Sequence, residues 1–128
     1  MIPVDMATEN DCMRACVASL LGLRLADVPD FGDDDDQEWA VREWLTREHG
    51  LYTVYLNAES RGQWASFGWH MACGKAVGGC EHHAVVAYNG VVVHDPHPDR
   101  LGLASIDTYI LLVPMVPMRC VVADGGES

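Results

Sequence analysis

Up to Gly50 the apolar residues of this chain recur at helical spacing; beyond it they gather in short β-branched and aromatic runs. Met13, Cys16, Val17, Leu20 and Leu21 fall at i, i+3, i+4, i+7 and i+8, the stripe of a helix buried on one side. That spacing predicts a helix over roughly Asp11 to Leu21, with Asn10 as N-cap and Gly22 as its stop. Leu25 to Pro29 reads as a short turn, broken by its proline. A second helix is expected from Asp35 to His49, ending at Gly50 and turning Trp39, Val41, Trp44 and Leu45 inward. Strands are expected at Leu51 to Leu56, Trp69 to Cys73 and Tyr109 to Val113, with a hairpin between the last two. Gly74 to Cys80 and Pro96 to Leu103 read as loops, and Asn57 to Gly68 takes no clear period. Helices first and antiparallel strands after define an α+β chain, an N-terminal helix packed against an antiparallel sheet. With no internal repeat and no long linker, residues 1–128 read as one domain whose last residues, 121–128, fray.

Composition narrows the partners. The 128 residues are 49% hydrophobic and 21% charged, enough for a core without staples. The net charge of −11 excludes nucleic acid, whose binders carry basic patches, and disfavours an anionic membrane surface. No apolar run has the length of a membrane span, and Met1 to Asp5 lacks a basic and apolar leader, so a cytoplasmic protein is expected. Five cysteines, an odd number at irregular spacing, suit reduced thiols in that compartment. The acidic run Asp33 to Asp36 fits a solvated lead into a helix; a calcium loop would need alternating ligands, a central glycine and a terminal Glu, which are missing.

Chemistry concentrates in two places. Asn10-Asp11-Cys12 puts a thiol at the opening of the first helix, where unpaired N–H groups and the positive dipole end favour thiolate and can hold an oxyanion. Cys16, one turn on, lies within the apolar stripe and reads as core. His83 opens one strand of the hairpin and Asp95 closes the other. Register decides whether they meet. A two-residue Asn89-Gly90 turn pairs Tyr88 with Val91 and leaves Asp95 opposite Ala84, facing away from His83. A three-residue loop with Gly90 as a left-handed bulge pairs Ala87 with Val91 and sets His83 opposite Asp95. A Cys12–His83–Asp95 triad demands the second register, which is therefore the expected one. On that register His82 points to the other face and His94 is structural. A zinc site from Cys73, Cys80, His82, His83, His94 and His97 is the rival, but no CxxC or HExxH spacing supports it. No cofactor and no metal are expected.

At these residues the chain resembles the papain-like cysteine peptidases, and most closely the bacteriocin-leader (double-glycine) peptidases and their small phage and bacterial relatives. The likeness rests on Asp11-Cys12, His83-Ala84-Val85-Val86 and Val93-His94-Asp95-Pro96, with Cys16 to Gly22, Val28-Pro29 and Asp95 to Asp99 beside them. The resemblance implies a papain-like fold with a cleft between the first helix and the sheet. It also implies a thiol hydrolase that cleaves a peptide, isopeptide or related amide bond in a peptide or protein substrate. Cys12 would be the nucleophile, His83 the base and Asp95 its orienter. The family's glutamine ahead of the cysteine, which completes the oxyanion hole, is replaced here by Met6 and Ala7, leaving Thr8 or Asn10 to support that role. This departure keeps a catalytically degenerate binding or effector protein open as the alternative, alongside an acyltransferase with the same triad.

Overall fold

The computed structural model describes residues 1–8, 11–32, 37–59, 68–79 and 82–115. Two helices, α1 (Cys12–Leu21) and α2 (Gln37–His49), precede five strands: β1 (Leu51–Asn57), β2 (Trp69–Ala76), β3 (His83–Tyr88), β4 (Val91–His94) and β5 (Leu103–Pro114). A short 3₁₀ turn, Leu25–Asp27, follows α1. The strands form one antiparallel sheet in the order β1-β5-β2-β3-β4. The chain is thus α+β, with two helices and a five-stranded antiparallel sheet. Among the described residues no helix is long and apolar enough to cross a membrane.

Both helices cover the same face of the sheet. Cys16, Val17 and Ala18 of α1 and Val41 and Leu45 of α2 share one buried cluster with Met71, Ala84, Val86 and Ile110 of the strands. Alternate strand residues, Ala72, Val85, Ala87 and Tyr109, form a smaller cluster on the opposite face. α1 ends as expected, with Gly22 in the left-handed conformation. Its N-cap is Asp11 rather than Asn10, which lies outside the described residues, as do the acidic run 33–36 and the tail 116–128.

Three expectations change. Trp39 does not face inward: α2 buries Val41 and Leu45, and Trp39 is 64% exposed. β2 continues through Cys73 to Ala76, and β5 begins at Leu103 rather than Tyr109, because the two strands support each other along their length. Hydrogen bonding between long-range partners overrides the glycine-rich look of Gly74 onward.

The hairpin takes the register that was not expected. Tyr88 pairs with Val91 across a two-residue Asn89-Gly90 turn, both residues at positive φ (50° and 83°) as a type I′ turn requires. Neighbouring chain holds that turn: the Gly90 N–H donates to His70 Nε2 at 3.0 Å, and Asn89 exchanges hydrogen bonds with Gly68. Yet Asp95 does not turn away. After Ala87↔Val92 the register slips by one residue, so Val86 lies opposite His94 rather than Val93. One inserted residue exchanges the two faces of a strand. His94 therefore goes to the α1 side, where its Nε2 donates to the Val4 carbonyl at 2.9 Å, and Asp95 comes to the side of His83.

A second bulge lies in β5. Cys73 pairs with Thr108 but Gly74 with Ile106, leaving Asp107 as the extra residue. β5 presses close at this point: a Cβ on Gly74 would stand 2.0 Å from the Ser105 carbonyl oxygen. Gly74→Ala is expected to cost about 1–3 kcal/mol or more, the usual range for overpacking, measured as a lowered urea midpoint. His70 makes a second prediction. Its ring is buried, and burial lowers its pKa below the usual 6.5, outweighing the pull of the Met71 carbonyl. A depressed histidine contributes stability that is complete above pH 6.5 and lost as pH falls through the folded-state value. Between pH 7.5 and 5.5, His70→Gln should therefore lose less stability than the parent protein.

Candidate active site

The first residues of α1 and α2 converge on one cleft of about 340 Å³. α1 contributes Cys12 and Met13, α2 contributes Gln37 and Glu38, β2 and β5 contribute Cys73, Gly74, Asp107 and Thr108, and His82, His83 and Ala84 close it. The cleft thus faces the positive ends of two helix dipoles. Cys12 opens α1 because Asp11 ends the irregular segment before it. The Asp11 N–H donates to the Thr8 carbonyl, its carboxylate accepts the Thr8 N–H, and its own carbonyl accepts the Ala15 N–H. The Cys12 thiol, 8% exposed, points its weak donor at the His82 carbonyl, 3.9 Å from Sγ.

His83 and Asp95 meet directly. Their side chains are 5% and 6% exposed, and His83 Nε2 lies 2.7 Å from Asp95 Oδ1. Burial alone would raise the Asp95 pKa, but donors on both oxygens outweigh it and hold the carboxyl below its usual value. The His97 N–H and His83 bond Oδ1, and the Gly102 N–H bonds Oδ2 at 2.7 Å. An ionised Asp95 can only accept, so Nε2 carries the hydrogen and Nδ1 is the nitrogen left to take a proton.

The loop that presents Asp95 is stapled to the N-terminal segment. Arg100, at a positive φ of 53°, donates to the Asp95 carbonyl at 2.6 Å and makes a bidentate pair with Asp5 at 2.6 and 3.0 Å. The Met6 N–H donates to the Pro96 carbonyl, and Val4 bonds Ser19 of α1 through its N–H. Asp5, Arg100 and Gly102 went unnoticed in the sequence, since a loop's internal donors leave no periodic signal.

The other expected positions divide. Cys16 is core, fully buried, and burial pushes its thiol well above the ordinary value. Cys73 lies within β2 on the cleft; burial, followed by the negative charge around it, pushes it up to about 12. His82 is exposed and lines the same cleft as His83 rather than the opposite face. Thr8 is exposed and does not line the cleft; Asn10 and Cys80 lie outside the described residues. Met6 packs against the core. Gln37, Glu38, Asp107 and Thr108, all missed in the sequence, complete the cleft. Among the described residues no three His, Cys, Asp or Glu side chains gather as they would around a metal ion.

Comparison of the chain with protein-family models, with curated proteins and with solved structures finds no match. Thiol reactivity tests the site without a substrate. With Cys16 and Cys73 held as thiols, iodoacetamide at about pH 6, well below an ordinary thiol pKa of ~8.5, should label Cys12 first by peptide mapping. His83→Ala should slow that labelling.

Proposed function

We propose that this cleft hydrolyses a peptide, isopeptide or related amide bond through an acyl-enzyme on Cys12, in a papain-like arrangement. The observation that carries the reading is the buried His83–Asp95 hydrogen bond at the edge of the cleft onto which Cys12 opens. His83 Nδ1 takes the thiol proton, and the Cys12 sulfur attacks the carbonyl carbon. As the tetrahedral intermediate collapses, the C–N bond breaks and the imidazolium gives its proton to the departing amine. Water then attacks the thioester, surrendering its proton through His83, and the carboxylic acid leaves as Cys12 is restored. Asp95 keeps Nε2 protonated and steadies the imidazolium between the two transfers.

In the resembling family a glutamine ahead of the cysteine helps hold the oxyanion; here that stretch holds Met6, half-buried against the core. The Cys12 N–H at the first turn of α1 takes the role of the first donor. Gln37 lines the cleft and gives one Nε2 hydrogen to the Gly32 carbonyl; its other hydrogen is the second donor. The packing of Met6 also favours the competing reading, a binding protein that keeps the cleft without turnover.

Hydrolysis of a fluorogenic peptide library separates the two. Cys12→Ala should abolish cleavage, while Asp95→Ala should retain a measurable fraction because Asp95 orients the base without exchanging the proton. Retention of full activity in Cys12→Ala would overturn the proposal. Absence of any Cys12-dependent turnover, with Cys12 no more reactive than an ordinary thiol, leaves the binding reading standing.

A further inference from the structure

A regular strand sends neighbouring residues to opposite faces. Asp107 and Thr108 nonetheless both line the cleft, because Asp107 is the inserted residue of the β5 bulge. The bulge depends on Gly74, the position where any Cβ would collide with Ser105. Across the cleft stands Glu38, in the first turn of α2. Asp5, Asp27, Glu43 and Glu48 each have an arginine partner. Among the described residues neither Glu38 nor Asp107 has an ion-pair partner, and no Lys or Arg lines the cleft. Their charge reaches the interior, since both carboxylates help hold the Cys73 proton. Two carboxylates thus line the same cleft as the thiol, the one from β5 turned there by a break in strand alternation.

We infer that the cleft selects substrates with a cationic group beside the scissile amide, an alkylammonium or guanidinium held by Asp107 and Glu38. This rests on the hydrolase reading and names the substrate class of that site. Each exposed charge pair is modest, so the two together should favour a cation by about three- to tenfold over a neutral isostere. High salt should weaken that preference.

Two measurements test it, one independent of turnover. The first compares Cys12 modification by three methanethiosulfonates: cationic (trimethylammonioethyl), neutral (hydroxyethyl) and anionic (sulfonatoethyl). In each, the thiolate attacks the sulfenyl sulfur, a disulfide forms and methanesulfinate leaves. Removing the carboxylates also favours the Cys12 thiolate, so the readout is the ratio of rates between reagents, in which thiolate fraction cancels. Relative to the same ratio on free 2-mercaptoethanol, the cation-to-anion ratio should exceed one severalfold. It should fall in Asp107→Asn, in Glu38→Gln and further in the pair. Glu43→Gln/Glu48→Gln, which removes the same net charge from the far part of α2, should leave it in place.

A ratio that the cleft variants do not change, or that the distant pair lowers equally, overturns the inference. So does a Cys12 that no reagent reaches. The second measurement is kcat/KM for fluorogenic peptides bearing Lys or norleucine next to the cleaved bond, with the Lys preference expected to shrink in Asp107→Asn. Cys12-dependent cleavage indifferent to Lys overturns the inference and spares the hydrolase reading. A charge-selective Cys12 without turnover overturns the hydrolase reading and leaves only a cleft that prefers cations.

Discussion

Strict alternation of side chains governs every strand, and the site is built where two strands break it. Without the slip in β4, His94 would take the side of His83 and Asp95 the other. The buried carboxylate would then have no imidazole, and the imidazole no acceptor. Without the slip in β5, Asp107 and Thr108 could not both border the cleft. Each insertion forfeits a ladder hydrogen bond locally and is offset by bonds elsewhere. In β4 the compensation is the set of donors around Asp95; in β5 it is the close approach over Gly74.

Much of this is legible in the sequence. The stripe from Met13 to Leu21 announced α1, and Asn89-Gly90 announced the hairpin, because both signals are local and periodic. The meeting of His83 and Asp95 was also anticipated, but through the wrong geometry. The reading placed the inserted residue in the turn, whereas it lies two residues into β4. The reason is tertiary: His70 and Gly68 clamp the two-residue turn from a strand distant in sequence. A bulge inside Val91-Val92-Val93 has no mark in a run of identical residues. Trp39 failed for a related reason, since hydrophobicity alone does not say which side of a helix the core will occupy.

The electrostatics of the site pull two ways. Two helix N-termini favour negative charge in the cleft, while Glu38 and Asp107 already supply some. Burial favours the thiol form of Cys16 in the core and of Cys73 on the cleft. His82 and His83 are the imidazoles that line the cleft, and Asp95 holds the ring of His83.

The staple between Asp5 and Arg100 joins residues 95 positions apart. Closing so long a loop is slow relative to forming a helix or hairpin, because chain entropy must be lost before the contact is made. α1 and its thiol can therefore be structured well before the Asp95 loop is locked. During synthesis Cys12 emerges well before Asp95, the residue that holds the His83 ring. A chain made only as far as Gly90 therefore carries the thiol without Asp95.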